Sequence, residues 1–181
     1  MKKILIISFI LITELYSIYA QTQNNLICKG PGFGFQLNQF QKDFGFGLNI
    51  TSPHFAFDKI AVRIRGNLMY NENVQNGDTE WTPYANVSVG LIGGGGMVGD
   101  HIRLYGEGGF IGLIPSDKFS SDNFVLGGYG FFGFEFFNSR SNNYFIEIGG
   151  VGTGAHADKI ENNPVYSNGL VISTGLRIYL K

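Results

Sequence analysis

From Phe33 onward the chain alternates between large apolar residues and small or polar ones. Phe33, Phe35 and Leu37 are separated by Gly34, Gln36 and Asn38. Phe44, Phe46, Leu48 and Ile50 are separated by Gly45, Gly47 and Asn49. A period of two marks a β-strand with two unlike faces. The same period returns in Ile60, Val62, Ile64 and Leu68, in Ala85, Val87, Val89 and Leu91, in Ile102, Leu104 and Phe110, and in Leu170, Ile172, Leu176, Ile178 and Leu180. Its longest run is Phe124–Val151, where Leu126, Phe132, Phe134, Phe136, Tyr144, Ile146 and Ile148 share one phase across the polar break Asn138–Asn142. That break predicts a hairpin turn, and a turn centred near Ser141 sets Glu135 opposite Glu147. The other predicted connections are Gln39–Asp43, Thr51–Asp58, Asn71–Thr82 with its Asn76-Gly77 pair, Gly93–Asp100, Pro115–Asn123 and Gly154–Asn168. The sum is eight strands in an all-β chain. Three long connections (Asn71–Thr82, Pro115–Asn123, Gly154–Asn168) fall on one end, as in transmembrane barrels with long outer loops and short inner turns.

The charged residues decide which face is inside. Arg63, Arg65, Arg103, Glu107, Glu135, Glu147 and Arg177 all fall on the Gly/Asn/Ser phase of their strands. In a soluble sandwich the polar face meets water. In a membrane barrel the apolar face meets lipid and the polar face lines the lumen, and an Arg placed on the lipid side costs about 2–4 kcal/mol near the midplane. The segregation predicts an eight-stranded antiparallel up-and-down transmembrane β-barrel, with those seven residues forming a charge network in the lumen. An eight-stranded barrel is narrow enough for side chains to fill. The acids are therefore read as parts of an Arg-bracketed network and not as a catalytic carboxylate pair.

Composition supports the curved barrel: 27 Gly, 17 Phe and 9 Tyr, with only 5 Pro. Lys2 and Lys3, the apolar run Ile4–Ile12 and the small Ala20 read as a secretory signal peptide over residues 1–20. Residues 21–32 form an N-terminal periplasmic segment and residues 33–181 the barrel domain. Without the leader the net charge is about −2, and no basic patch points to nucleic acid. The single Cys28 has no partner for an internal disulfide. The three histidines, His54, His101 and His156, lie outside any metal-binding spacing, and the glycines 93–96 lack the Lys and helix of a phosphate loop. No cofactor and no enzymatic activity are expected.

The strand count, the Gly/aromatic alternation and the closing strand G-L-V-I-S-T-G-L-R-I-Y-L-K resemble the small outer-membrane β-barrel proteins of Gram-negative bacteria, of the outer membrane protein X/W or opacity-protein type. The resemblance implies location in the outer membrane, contact with outer-membrane lipid, insertion by the barrel-assembly machinery, a monomer, and action through outer loops in adhesion or envelope integrity. Lipid A deacylase barrels carry a His-x-Ser-Asn element. Here Val165 stands where the His belongs, before Tyr166, Ser167 and Asn168, so the Ser has no base. Trp81 and Tyr166 are read as membrane-interface anchors. The alternative is a secreted lipocalin-like barrel with the Phe/Ile face turned inward around an apolar ligand.

Overall fold

The computed structural model describes residues 30–75 and 78–180. The expected leader, most of the 21–32 segment, the Asn76-Gly77 turn signal and Lys181 lie outside the described residues. The strands are β1 (Gly32–Phe40), β2 (Asp43–Thr51), β3 (Ala61–Gln75), β4 (Asp78–Val98), β5 (Ile102–Ile114), β6 (Val125–Phe137), β7 (Asn142–Gly152) and β8 (Gly169–Tyr179). Each pairs antiparallel with its neighbour in sequence. β1 also pairs with β8, from Gly32↔Tyr179 to Phe40↔Val171, which closes the barrel. Closure leaves no open sheet edge around the wall.

Both ends of the described chain lie at one mouth, with the connections 52–60, 99–101 and 138–141. The far mouth carries 41–42, 115–124 and 153–168. Two expected connections are strand instead. Asn71–Thr82 continues the β3–β4 ribbon, with Asn71↔Thr82, Glu72↔Trp81 and Asn73↔Glu80 in register. The cause is phase: Asn71 and Asn73 face inward like Arg63 and Arg65 and are buried, so their polarity belongs to the interior. Gly93–Asp100 is mostly β4, broken by a register shift between Gly93 and Gly96. Gly94 (φ 87°) and Gly95 (φ 147°) adopt backbone that other residues take only with strain, so a run that reads as a turn makes a bulge.

The faces are inverted relative to a soluble barrel. Phe33, Leu48, Phe110, Leu126 and Leu176 point outward, Leu48 and Phe110 with 65% and 66% of their surface exposed. The lipocalin alternative required these residues inside.

Candidate functional site

Alternate residues of a strand share a face. Arg63 and Arg65 on β3, Arg103 and Glu107 on β5, Glu135 on β6, Glu147 on β7 and Arg177 on β8 all project into the barrel and are buried. Arg65 grips two carboxylates. Its Nη1 donates to Glu147 Oε2 at 2.6 Å, and its Nε donates to Glu107 Oε1 at 3.0 Å. Arg63 donates through Nη1 to Glu107 at 2.8 Å and to Glu147 at 3.0 Å, and through Nε to Thr51 Oγ1 at 2.8 Å. Arg177 pairs with Glu135, reaches Glu147 at 3.4 Å and donates to Asn49 Oδ1 at 3.0 Å. Arg103 pairs with Glu135 and contacts the Tyr179 hydroxyl at 2.7 Å.

Phenols complete the shell around the acids. Tyr105 donates to Glu147, Tyr129 to Glu107 at 2.9 Å and Tyr179 to Glu135 at 3.0 Å. Removing one partner of such a buried pair costs several kcal/mol (about 3–5), because the remaining charge has no water to replace it. The Arg177 guanidinium also lies 4.0 Å from the centre of the Phe145 ring, a cation–π contact. Space for the phenols comes from glycine. A Cβ on Gly133 would sit 2.3 Å from Tyr105 Cζ, and one on Gly90 would sit 2.2 Å from the Tyr129 hydroxyl.

The expected face-to-face pairing of Glu135 with Glu147 is not found. Glu147 is opposite Gly133 and Glu135 opposite Phe145, so the β6–β7 turn centres on Arg140 instead of Ser141. The acids are diagonal, with arginine between them: Arg177 touches both, and Arg63 lies 3.0 Å from Glu147 and 3.8 Å from Glu135.

Two further layers escaped sequence reasoning. Toward the far mouth, Gln36 Nε2 donates to Asn67 Oδ1 at 2.8 Å, Asn67 Nδ2 to Asn86 Oδ1 at 2.7 Å, and Ser173 Oγ to Asn38 Oδ1 at 2.7 Å. These residues lie on the charged phase, which was the signal available. A small cavity beside Arg65, Asn67 and Ser88 borders this layer. Above it the far mouth is closed by the connections 115–124 and 153–168, which fold inward. Phe119, Tyr84 and Tyr166 pack edge to face with ring centres 4.9–6.0 Å apart. Single apolar residues in polar loops give no periodic signal, so this cap was not legible.

Tyr166 is 2% exposed and belongs to the cap, which corrects its reading as an interface anchor. Burial pushes its phenol up to about 12. Trp81 is half-exposed on the β3–β4 ribbon. The two connections also bind each other. Ser121 N donates to Asp158 Oδ1 at 2.7 Å, Lys159 N to the Phe119 carbonyl at 3.1 Å, and Lys159 Nζ to the Asp117 carbonyl at 2.7 Å. The Ser121 hydroxyl and N–H hold the Asp158 carboxyl below the usual carboxylate range.

No family model matches the sequence, and no curated protein matches it. Two solved structures share its fold. The N-terminal β-barrel domain of Pseudomonas aeruginosa OprF superposes with a TM-score of 0.58 at 10% identity, covering 83% of this chain and 97% of that one. The outer membrane protein OprG from Pseudomonas aeruginosa gives 0.55 at 15% identity, covering 84% and 96%. The fold is the eight-stranded antiparallel barrel of outer-membrane proteins. The comparisons do not single out the outer membrane protein X/W or opacity type within it.

Proposed function

We propose that this protein is a monomeric outer-membrane β-barrel with a side-chain-filled lumen, acting structurally or in adhesion through its far, outward end. The observation that carries the reading is the inversion of its faces. A wall of exposed Phe, Leu, Ile and Val surrounds a buried set of four Arg and three Glu. In water such a wall would form a contiguous apolar patch far beyond what soluble proteins expose. Against hydrocarbon it needs no cover, and the charges lie on the only face where they avoid lipid. The partners follow: outer-membrane lipid around the wall, and the barrel-assembly machinery during insertion, with the mouth that holds Gly32 and Tyr179 on the periplasmic side. The role is taken as non-catalytic because each lumen carboxylate is held by arginine and phenol in a narrow interior.

The experiment is to fractionate membranes and compare boiled with unboiled protein on a detergent gel, then to record current from the purified barrel in a planar bilayer. A heat-dependent shift in the outer-membrane fraction, with no steady open-pore current, is the expected result. Soluble protein without a shift overturns the membrane reading. A sustained pore current overturns the filled lumen.

A further inference from the structure

Asp43 opens β2 at the far mouth and is 2% exposed. Among the described residues no Arg, Lys or His forms an ion pair with it. Its carboxylate accepts hydrogen bonds from Asn71 Nδ2 at 2.7 Å, the Tyr84 hydroxyl at 2.7 Å and the Ser167 N–H at 2.8 Å. These donors orient the group and leave its charge uncompensated, in contrast to every glutamate of the lumen network.

Four side-chain oxygens at the far end of the barrel are buried and have no hydrogen-bond partner: Asn71 Oδ1, Asn73 Oδ1, Ser167 Oγ and the Tyr166 hydroxyl. Their residues are 1–4% exposed. Two of them belong to residues that contact Asp43 directly. The Asn71 amide and the Ser167 backbone both donate to Asp43. Tyr166 precedes Ser167, with its ring 5.4 Å from that of Tyr84. Asn73 Nδ2 reaches the Asn71 carbonyl at 3.5 Å and Thr82 Oγ1 at 3.2 Å. Elsewhere in the barrel the unpartnered atoms include nitrogens, such as Arg63 Nη2, Arg103 Nε and Asn86 Nδ2; here all are oxygens. Ser167 also takes a left-handed backbone (φ 47°), unusual for a residue other than glycine, which needs support from its surroundings.

A buried carboxylate among amide and hydroxyl oxygens is the donor set of a hard cation, which takes 6–8 oxygens including carbonyls and water. No cluster of three His, Cys, Asp or Glu side chains occurs among the described residues, which leaves softer metals without their ligands. The geometry points to a divalent cation site, Ca²⁺ by its donors, formed by Asp43 with the side-chain oxygens of Asn71, Asn73 and Ser167. A cation there bridges strands β2 and β3 to the 153–168 connection. It locks the cap over the far mouth.

The test uses the full barrel folded in detergent micelles, so it stands apart from the membrane reading. Tb³⁺ is titrated and its luminescence excited through tyrosine, with Tyr84 and Tyr166 beside the site as sensitisers. The expected result is saturable emission that Ca²⁺ displaces, weakened at least about tenfold by Asp43→Asn and unchanged by Asp100→Asn, an exposed residue of the 99–101 connection at the opposite mouth. No saturable emission, or the same titration for Asp43→Asn, overturns the site. If Asp43→Asn does not give the compact unboiled gel form, Asn73→Asp decides. It adds a carboxylate, so Ca²⁺ displaces Tb³⁺ with an affinity tighter by about tenfold, and an unchanged affinity overturns the site.

Discussion

Replacing Glu147 with Gln keeps the shape of the side chain and removes one negative charge from the lumen. The consequences can be traced residue by residue. Arg65 falls from two carboxylates to one, Glu107. Arg63 keeps Glu107 at 2.8 Å and the more distant Glu135 at 3.8 Å. Arg177 keeps Glu135, and the Tyr105 phenol loses an anionic acceptor. The excess positive charge of the network rises from one to two. Breaking a buried ion pair from one side costs about 3–5 kcal/mol. No guanidinium is left without a carboxylate, so the lower end applies, and Glu147→Gln should destabilise the barrel by about 3 kcal/mol. The assay is urea unfolding of the barrel folded in lipid vesicles, read by the fluorescence of the single Trp81 and by loss of the compact unboiled gel form. Arg65→Gln combined with Glu147→Gln should cost less than the sum of the single changes by at least about 1 kcal/mol, because the two residues bond directly. A loss under about 1 kcal/mol for the single variant, or strict additivity for the pair, refutes a network held by charge compensation.

Leu48 points outward from the middle of β2, so Leu48→Arg should lower unfolding free energy in vesicles by about 2–4 kcal/mol; a neutral result means the wall does not face hydrocarbon. Gly133→Val drives a side chain into the Tyr105 ring and should cost about 1–3 kcal/mol, whereas at outward-facing Gly130, where a Cβ meets only the Glu107 carbonyl at 3.9 Å, alanine should be nearly neutral in the same urea assay. The depressed Asp158 carboxyl contributes to the cap above its unfolded value, about pH 4, and that contribution is lost as the pH falls through the lower folded value. Limited proteolysis of the 115–124 connection should therefore accelerate on acidification below about pH 4. Asp158→Asn should remove the pH dependence, and an identical profile in that variant disproves the link.

The fold was legible because a barrel wall is a two-sided object read at a period of two. Phe33, Phe35 and Leu37 announce the outer side, and Arg63, Arg65 and Arg177 share the other phase. Register was less accessible: moving a turn centre from Ser141 to Arg140 leaves every face unchanged and shifts Glu147 from Glu135 to Gly133. Polar alternation was misread where Asn71 and Asn73 line the interior, since an inward asparagine and a loop asparagine look alike in sequence. The glycines at 94 and 95 signalled unusual backbone correctly, but a bulge and a turn demand the same residue. The cap was hidden most completely, because Phe119 and Tyr166 are buried by tertiary packing of irregular segments with no period to read.

The lumen network also has a place in time. All strand pairings except β1–β8 join sequence neighbours and can form as local hairpins. The bonds from Arg65 to Glu147 and from Arg177 to Asn49 join residues 82 and 128 positions apart, across strands that do not touch in the wall. Such contacts exist only after the chain has wrapped round on itself, so closing the loop comes first and the ion pairs follow. Damage to them should then leave the folding rate nearly intact and appear as faster unfolding. Seen this way, the buried charges act as a latch that sets how long a closed barrel stays closed.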